Sequence, residues 1–154
     1  MTYASGTRVD ESRTRGEIEQ MLQKAGASAF GSFNDYANRK AQIGFSWKNL
    51  NIKLEVLLPA QDDKRFLRDG RGSLRSPAKQ AEEYQAECRR RWRCLAMVLK
   101  AKLVAVGEGV TTLEREFLPY MVMANGRTFG EEMAPQIEAA KGGAVLALPS
   151  GEAA

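Results

Sequence analysis

A chain of 154 residues, 44% apolar and 27% charged, has the length and composition of one globular domain that buries roughly two thirds of its unfolded surface without staples. It contains no histidine, so the common Ser-His and Cys-His nucleophile pairs and the usual zinc ligand sets are missing. Its net charge of +4 is unevenly placed: Lys64 to Lys100 holds eleven Lys and Arg against four Asp and Glu, which leaves the rest of the chain acidic on balance. A regional cationic surplus points to a polyanionic partner, with a solvated helix face as the plainer alternative.

In chain order, residues 1–13 read as a flexible N-terminus. Thr14 and Glu17 form a Thr-x-x-Glu capping box, and Ile18, Met21, Leu22 and Ala25 follow at helical spacing to a stop at Gly26, which predicts a helix over 15–25. Ala29 to Phe33 reads as a strand leading into a turn at Asn34 to Asn38. Ala41, Ile43, Phe45 and Trp47 alternate with polar or small residues, and the period of two resumes at Ile52, Leu54, Val56 and Leu58. These segments predict a three-stranded antiparallel meander whose one apolar face needs a helix to cover it.

From Ala60 to Arg75 the apolar pattern lapses, and this basic loop is too long to be a plain connection. Ser76 as cap and Pro77 at the first helical position open a long helix through Tyr84, Cys88, Trp92, Leu95, Leu99, Leu103 and Val106, ended by Gly107. A rod of about 45 Å outruns the small sheet and needs further company, from C-terminal helices or a second copy. Thr111 with Glu114 opens a short helix that Pro119 cuts off. Asn125-Gly126 marks a turn. Thr128 with Glu131 caps a last helix bearing Phe129, Met133 and Ile137, which Pro135 is expected to kink or split and Gly142-Gly143 to close. Residues 144–154 read as a loose tail. The whole predicts an α+β fold in one domain over 14–143: an N-terminal helix, a meander, one long helix on the sheet, then two short helices.

No phosphate-binding loop, dinucleotide fingerprint or metal-ligand spacing occurs, and neither a cofactor nor a catalytic residue is assigned. Lys53 and Glu55, with Asp35 before them, come nearest to a nuclease-like cluster, but on the polar sheet face a solvated ion pair explains them better. Cys88 and Cys94 lie six apart, about 600° around a helix, so they project from different faces and predict a reducing, cytoplasmic setting. The N-terminus lacks the apolar core of a signal peptide and no apolar run is long enough to span a bilayer, so no membrane contact is expected.

Binding remains. Arg89, Arg93 and Lys100 recur along one line of the long helix with Arg90 beside them, and the apolar stripe through Trp92 predicts that this line faces solvent. Arg71 and Arg75 in the loop and Lys48 and Lys53 on the sheet extend the set, and Tyr36 offers a ring to an unpaired base. The expectation is a non-catalytic protein that binds nucleic acid backbone, single-stranded DNA foremost, as a monomer or a homo-oligomer. The alternative is an inhibitor or adaptor whose basic face docks on an acidic host protein.

The segment from Arg89 to Ile137, through the arginines around Trp92, Lys100-Ala101-Lys102-Leu103, Glu116-Phe117-Leu118-Pro119 and Gly126-Arg127-Thr128 with Pro135, resembles a family of small proteins encoded by phages, prophages and bacterial chromosomes. The loop from Gln61 to Arg75 is peculiar to this chain. The resemblance implies a phage-associated accessory protein in a host cytoplasm, with DNA handling or inhibition of host defences as the usual occupations. In architecture alone, the order of three strands and a long helix is similar to ring-forming single-strand annealing recombination proteins, and no site residue comes with that likeness.

Overall fold

The computed structural model describes residues 10–143. Helix α1 (Glu11–Ala25) leads into strands β1 (Ala29–Asp35), β2 (Lys40–Trp47) and β3 (Leu50–Leu57). These are followed by a short helix α2 (Lys64–Leu67), the long α3 (Pro77–Gly107), a short α4 (Leu113–Phe117) and α5 (Phe129–Ala140). The predicted α+β order holds. The strands pair antiparallel in the order β1-β2-β3.

Two turns set the meander. Lys48 and Asn49 both take positive φ, 48° and 62°, as a two-residue hairpin between right-twisted strands demands. At the other end Asp35 accepts from Asn38, side chain and backbone, and those bonds hold its carboxyl below the usual range. Ala41, Ile43, Phe45 and Trp47 of β2 and Ile52 and Leu54 of β3 turn one face inward. Against it pack Ile18 and Leu22 of α1 and Trp92, Leu95 and Leu99 of α3, with Trp92 1% exposed. Phe117 of α4 closes one end, edge-on to Phe45 at 5.8 Å and to Trp47 at 6.5 Å.

Four expectations are corrected by the structure. Helix α1 starts at Glu11, capped by Asp10, so residues 10–13 belong to the domain; Thr14 lies inside the helix with its side chain fully buried. The loop 60–75 is built, since it contains α2 and a bridge between Arg68 and Leu74. Thr112 rather than Thr111 caps α4, accepting from Arg115 N at 3.3 Å. Pro135 does not split α5, which runs unbroken through it: the carbonyl its missing N–H deserts is that of Glu131, and Arg127 donates to that oxygen at 3.1 Å. Thr128 and Glu131 form the reciprocal capping box predicted for this helix. The expected N-terminal flexibility before residue 10 and the loose tail at 144–154 lie outside the described residues.

The long rod finds part of its company within the chain, while Met97, Val98 and Val104 of its C-terminal half stay exposed. Helix α1 lies along one flank, α2 packs on its N-terminal half through Phe66 against Tyr84, and α4 reaches its C-terminal half through Lys102 paired with Glu116 at 2.9 Å. Among the described residues no helix is long and apolar enough to cross a membrane.

Candidate nucleic-acid interface

The arginines of α3 sit on two different flanks, because neighbouring helix positions are about 100° apart. Arg89 follows buried Cys88 and Arg93 follows buried Trp92, so both project sideways from the core rather than away from it. Helix α1 occupies that flank. Arg93 is ion-paired to Glu17, and Arg89 lies close enough to Asp10 to help its Ser12 hydrogen bonds hold that carboxyl low. Arg89 is half-buried, and its Nε has no hydrogen-bond partner among the described residues. The predicted outward stripe is therefore corrected: Arg89 and Arg93 are packing residues at the helix interface, and of that stripe Lys100 faces solvent with no ion pair among the described residues.

On the other flank a different cluster forms, centred on a carboxylate. Arg90 grips Glu87 with both arms of its fork, Nη2 to Oε1 at 2.6 Å and Nε to Oε2 at 2.8 Å. Arg91 donates to Oε1 at 3.0 Å and Arg65 of α2 comes within 3.8 Å. Held first by Arg90, then by Arg91, the Glu87 carboxyl is lowered to about 2 despite its burial. Three guanidinium groups share this one carboxylate, and Asp63 takes part of Arg65 at 3.1 Å. A positive excess remains at the cluster.

The chain from Asp69 to Arg75 extends that excess into solvent. Asp69 Oδ1 accepts from Arg71 N and Ser73 N, each at 2.9 Å, and Gly72 takes φ 83°, where only glycine is unstrained. Arg68 donates to Gly72 O at 2.9 Å and Arg75 to Arg65 O at 2.7 Å. Both bond carbonyls, which fix the side chain without neutralising it. Among the described residues Lys64, Arg68, Arg71 and Arg75 form no ion pair. Segment 62–75 with Glu87, Arg90 and Arg91 holds seven cations against the four acids Asp62, Asp63, Asp69 and Glu87.

Beside the cluster the sheet end opens a hollow of about 420 Å³ lined by Tyr36, Arg39, Leu58, Pro59, Gln61 and Tyr84. A second hollow of about 320 Å³ at the start of α3 shares Gln61 and Tyr84 with it. Tyr36 is 80% exposed, and Arg39 is exposed with no ion pair among the described residues. Rings and guanidinium groups so placed can stack on bases and bridge phosphates.

The other predicted residues do not join. Lys48 turns the opposite end of the sheet, about 25 Å along β2 from Arg39. Lys53 is held between Glu55 at 3.6 Å and Glu131 at 3.4 Å on the outer sheet face. Of the predicted set the structure gathers Arg90, Arg71 and Arg75. It adds Lys64, Arg65 and Arg68, which belong to the basic loop marked in the sequence, and Arg91 and Arg39, of which Arg91 shares the Glu87-Arg90-Arg91 helix spacing. Among the described residues no group of three or more Cys, Asp or Glu is arranged to hold a metal.

Comparison of the chain with protein-family models, curated proteins and solved structures finds no match.

Proposed function

We propose that this chain is a non-catalytic accessory protein that binds nucleic acid backbone, single-stranded DNA foremost, through the segment 64–75 and the Glu87 arginine cluster. One observation carries the proposal: among the described residues Lys64, Arg68, Arg71 and Arg75 form no ion pair, and Arg68 and Arg75 are held by carbonyl oxygens, on a braced helix-and-turn segment beside a tyrosine-lined hollow. Arginine forks match phosphate oxygens, and each phosphate neutralised releases counterions. Tyr36, beside Arg39, favours unpaired bases over a duplex groove, because a base must leave its stack to meet a ring. The DNA-handling, phage-type setting suggested by the sequence resemblance is compatible with this chemistry and belongs to the same proposal.

Fluorescence anisotropy with single- and double-stranded oligonucleotides at several salt concentrations tests it. The expected result is micromolar binding that weakens with salt. Replacing Arg68 and Arg71 by alanine should reduce the log–log salt slope by about 1 to 1.5 for single strands. Salt-insensitive behaviour, or no binding in the micromolar range, ends the proposal.

A protein-binding adaptor is the second reading, and the surface that favours it is not the expected basic face but α5, where Phe129, Met133 and Ile137 stay exposed and no residue is buried. A protein partner retained after nuclease treatment and lost on Met133→Glu and Ile137→Glu would favour it.

A further inference from the structure

The sheet has two edges, finished differently. The β3 edge is closed near both ends: Val122 donates to Asn51 O at 2.8 Å beside a bridge from Ile52 to Met121, and Arg91 donates to Leu57 O. Along β1 no backbone group among the described residues bonds to any element but β2. From Ala29 to Asn34 this edge has no charged residue, no proline and no break in register. Natural sheets guard open edges with such devices, and an edge without them is ready to pair.

We infer that β1 pairs antiparallel with β1 of a second copy about a two-fold axis at Ser32, giving a continuous six-stranded sheet with the helices of both copies on one face. Side-chain shape sets the register. On the solvent face Phe33 is 61% exposed. Two residues earlier, Gly31 has nothing within 4 Å of where a Cβ would sit. Gly31 and its cross-strand partner Gly44 floor a trough of about 440 Å³ on that face. An axis at Ser32 sets the Phe33 ring of each copy opposite Gly31 of the other, an aromatic ring over bare glycine backbone. An axis at Gly31 would oppose the two glycines and leave both troughs unfilled. An axis at Phe33 would bring the Asp35 carboxylate over Gly31 instead.

One open edge per copy makes the contact self-complementary, so assembly closes at two rather than running on as a fibre. Seven residues of strand bury a small area, so the dimer is concentration-dependent rather than obligate. The inference stands apart from nucleic-acid binding, because it uses none of the basic residues.

Sedimentation velocity of the full chain across the micromolar range is expected to show a reversible shift from 17.0 kDa toward twice that mass. Gly31→Lys and Phe33→Lys should each raise the dimer dissociation constant at least about tenfold. Both should leave circular dichroism and the thermal midpoint of dilute protein unchanged. Should Gly31→Lys fail to fold, Phe33→Lys decides, since its side chain already lies in solvent. Ser32→Cys, treated with a short bis-maleimide, should yield a covalent dimer above the wild-type background. A chain that stays monomeric throughout, or a dimer that the lysine variants leave intact, overturns the inference.

Discussion

Arg93 of α3 is ion-paired with Glu17 of α1, and the same guanidinium nitrogen reaches the buried Thr14 hydroxyl at 3.4 Å. A residue whose sequence context suggests a phosphate contact instead fastens two helices. Arg93→Ala should therefore lower stability by about 1 kcal/mol, discounted for the partial exposure of both partners. Oligonucleotide affinity should change less than about twofold, since no phosphate contact is lost. Urea unfolding and anisotropy on the same variant check both halves; a large loss of affinity at unchanged stability would return Arg93 to the binding face.

Glu87 predicts an acid response. Its folded carboxyl is lowered from 4.5 to about 2, so its contribution is fully present above the unfolded value and is lost as pH falls through the folded one. Stability should decline between about pH 4.5 and 2, and Glu87→Gln should flatten that part of the curve relative to wild type. At neutral pH the variant should cost about 1 to 3 kcal/mol, because three arginines then crowd without their shared carboxylate. Urea midpoints measured across that pH range decide it; identical slopes would show that Glu87 is not the sensor.

Two helical glycines should respond with opposite sign. At Gly16 in α1 a Cβ meets nothing within 4 Å, whereas at Gly130 in α5 it falls 2.9 Å from Pro119 O. Gly16→Ala should stabilise by about 0.5 to 1 kcal/mol through helix propensity alone. Gly130→Ala gains the same term but must push α5 off the turn at Leu118–Tyr120, a net loss of about 1 to 2 kcal/mol. Thermal unfolding of the pair gives the signs.

Arg127 and Pro135 should be coupled. Arg127→Ala strands the Glu131 carbonyl and should cost about 0.5 to 1 kcal/mol. In a Pro135→Ala background the restored N–H serves that carbonyl, and the cost should nearly vanish. A double-mutant cycle in urea measures the coupling; additive effects would break the link between the two residues.

The fold was legible in the sequence because its signals are local. The Thr128-Glu131 box, Ser76-Pro77, the alternation from Ala41 to Trp47 and the spacing of Cys88, Trp92, Leu95 and Leu99 each sit within a few residues, and each matches an element of the structure. The site was legible only in part, and the reason lies in sequence separation. Glu87 with Arg90 and Arg91 is one turn of helix and could be read by counting. Arg93 with Glu17, or Arg65 with Glu87, joins elements far apart in the chain, and only the approach of α1 and α2 to α3 decides which arginine meets which acid.

Composition and periodicity thus determined that there would be a meander, a long helix over it and a surplus of cations near that helix, because burial of apolar faces follows from spacing alone. Which cations remain unneutralised was settled by tertiary contact. A hydrophobic stripe needs only to be covered, by whatever apolar surface arrives, whereas a charge is cancelled or kept according to the one partner that comes within a few ångströms.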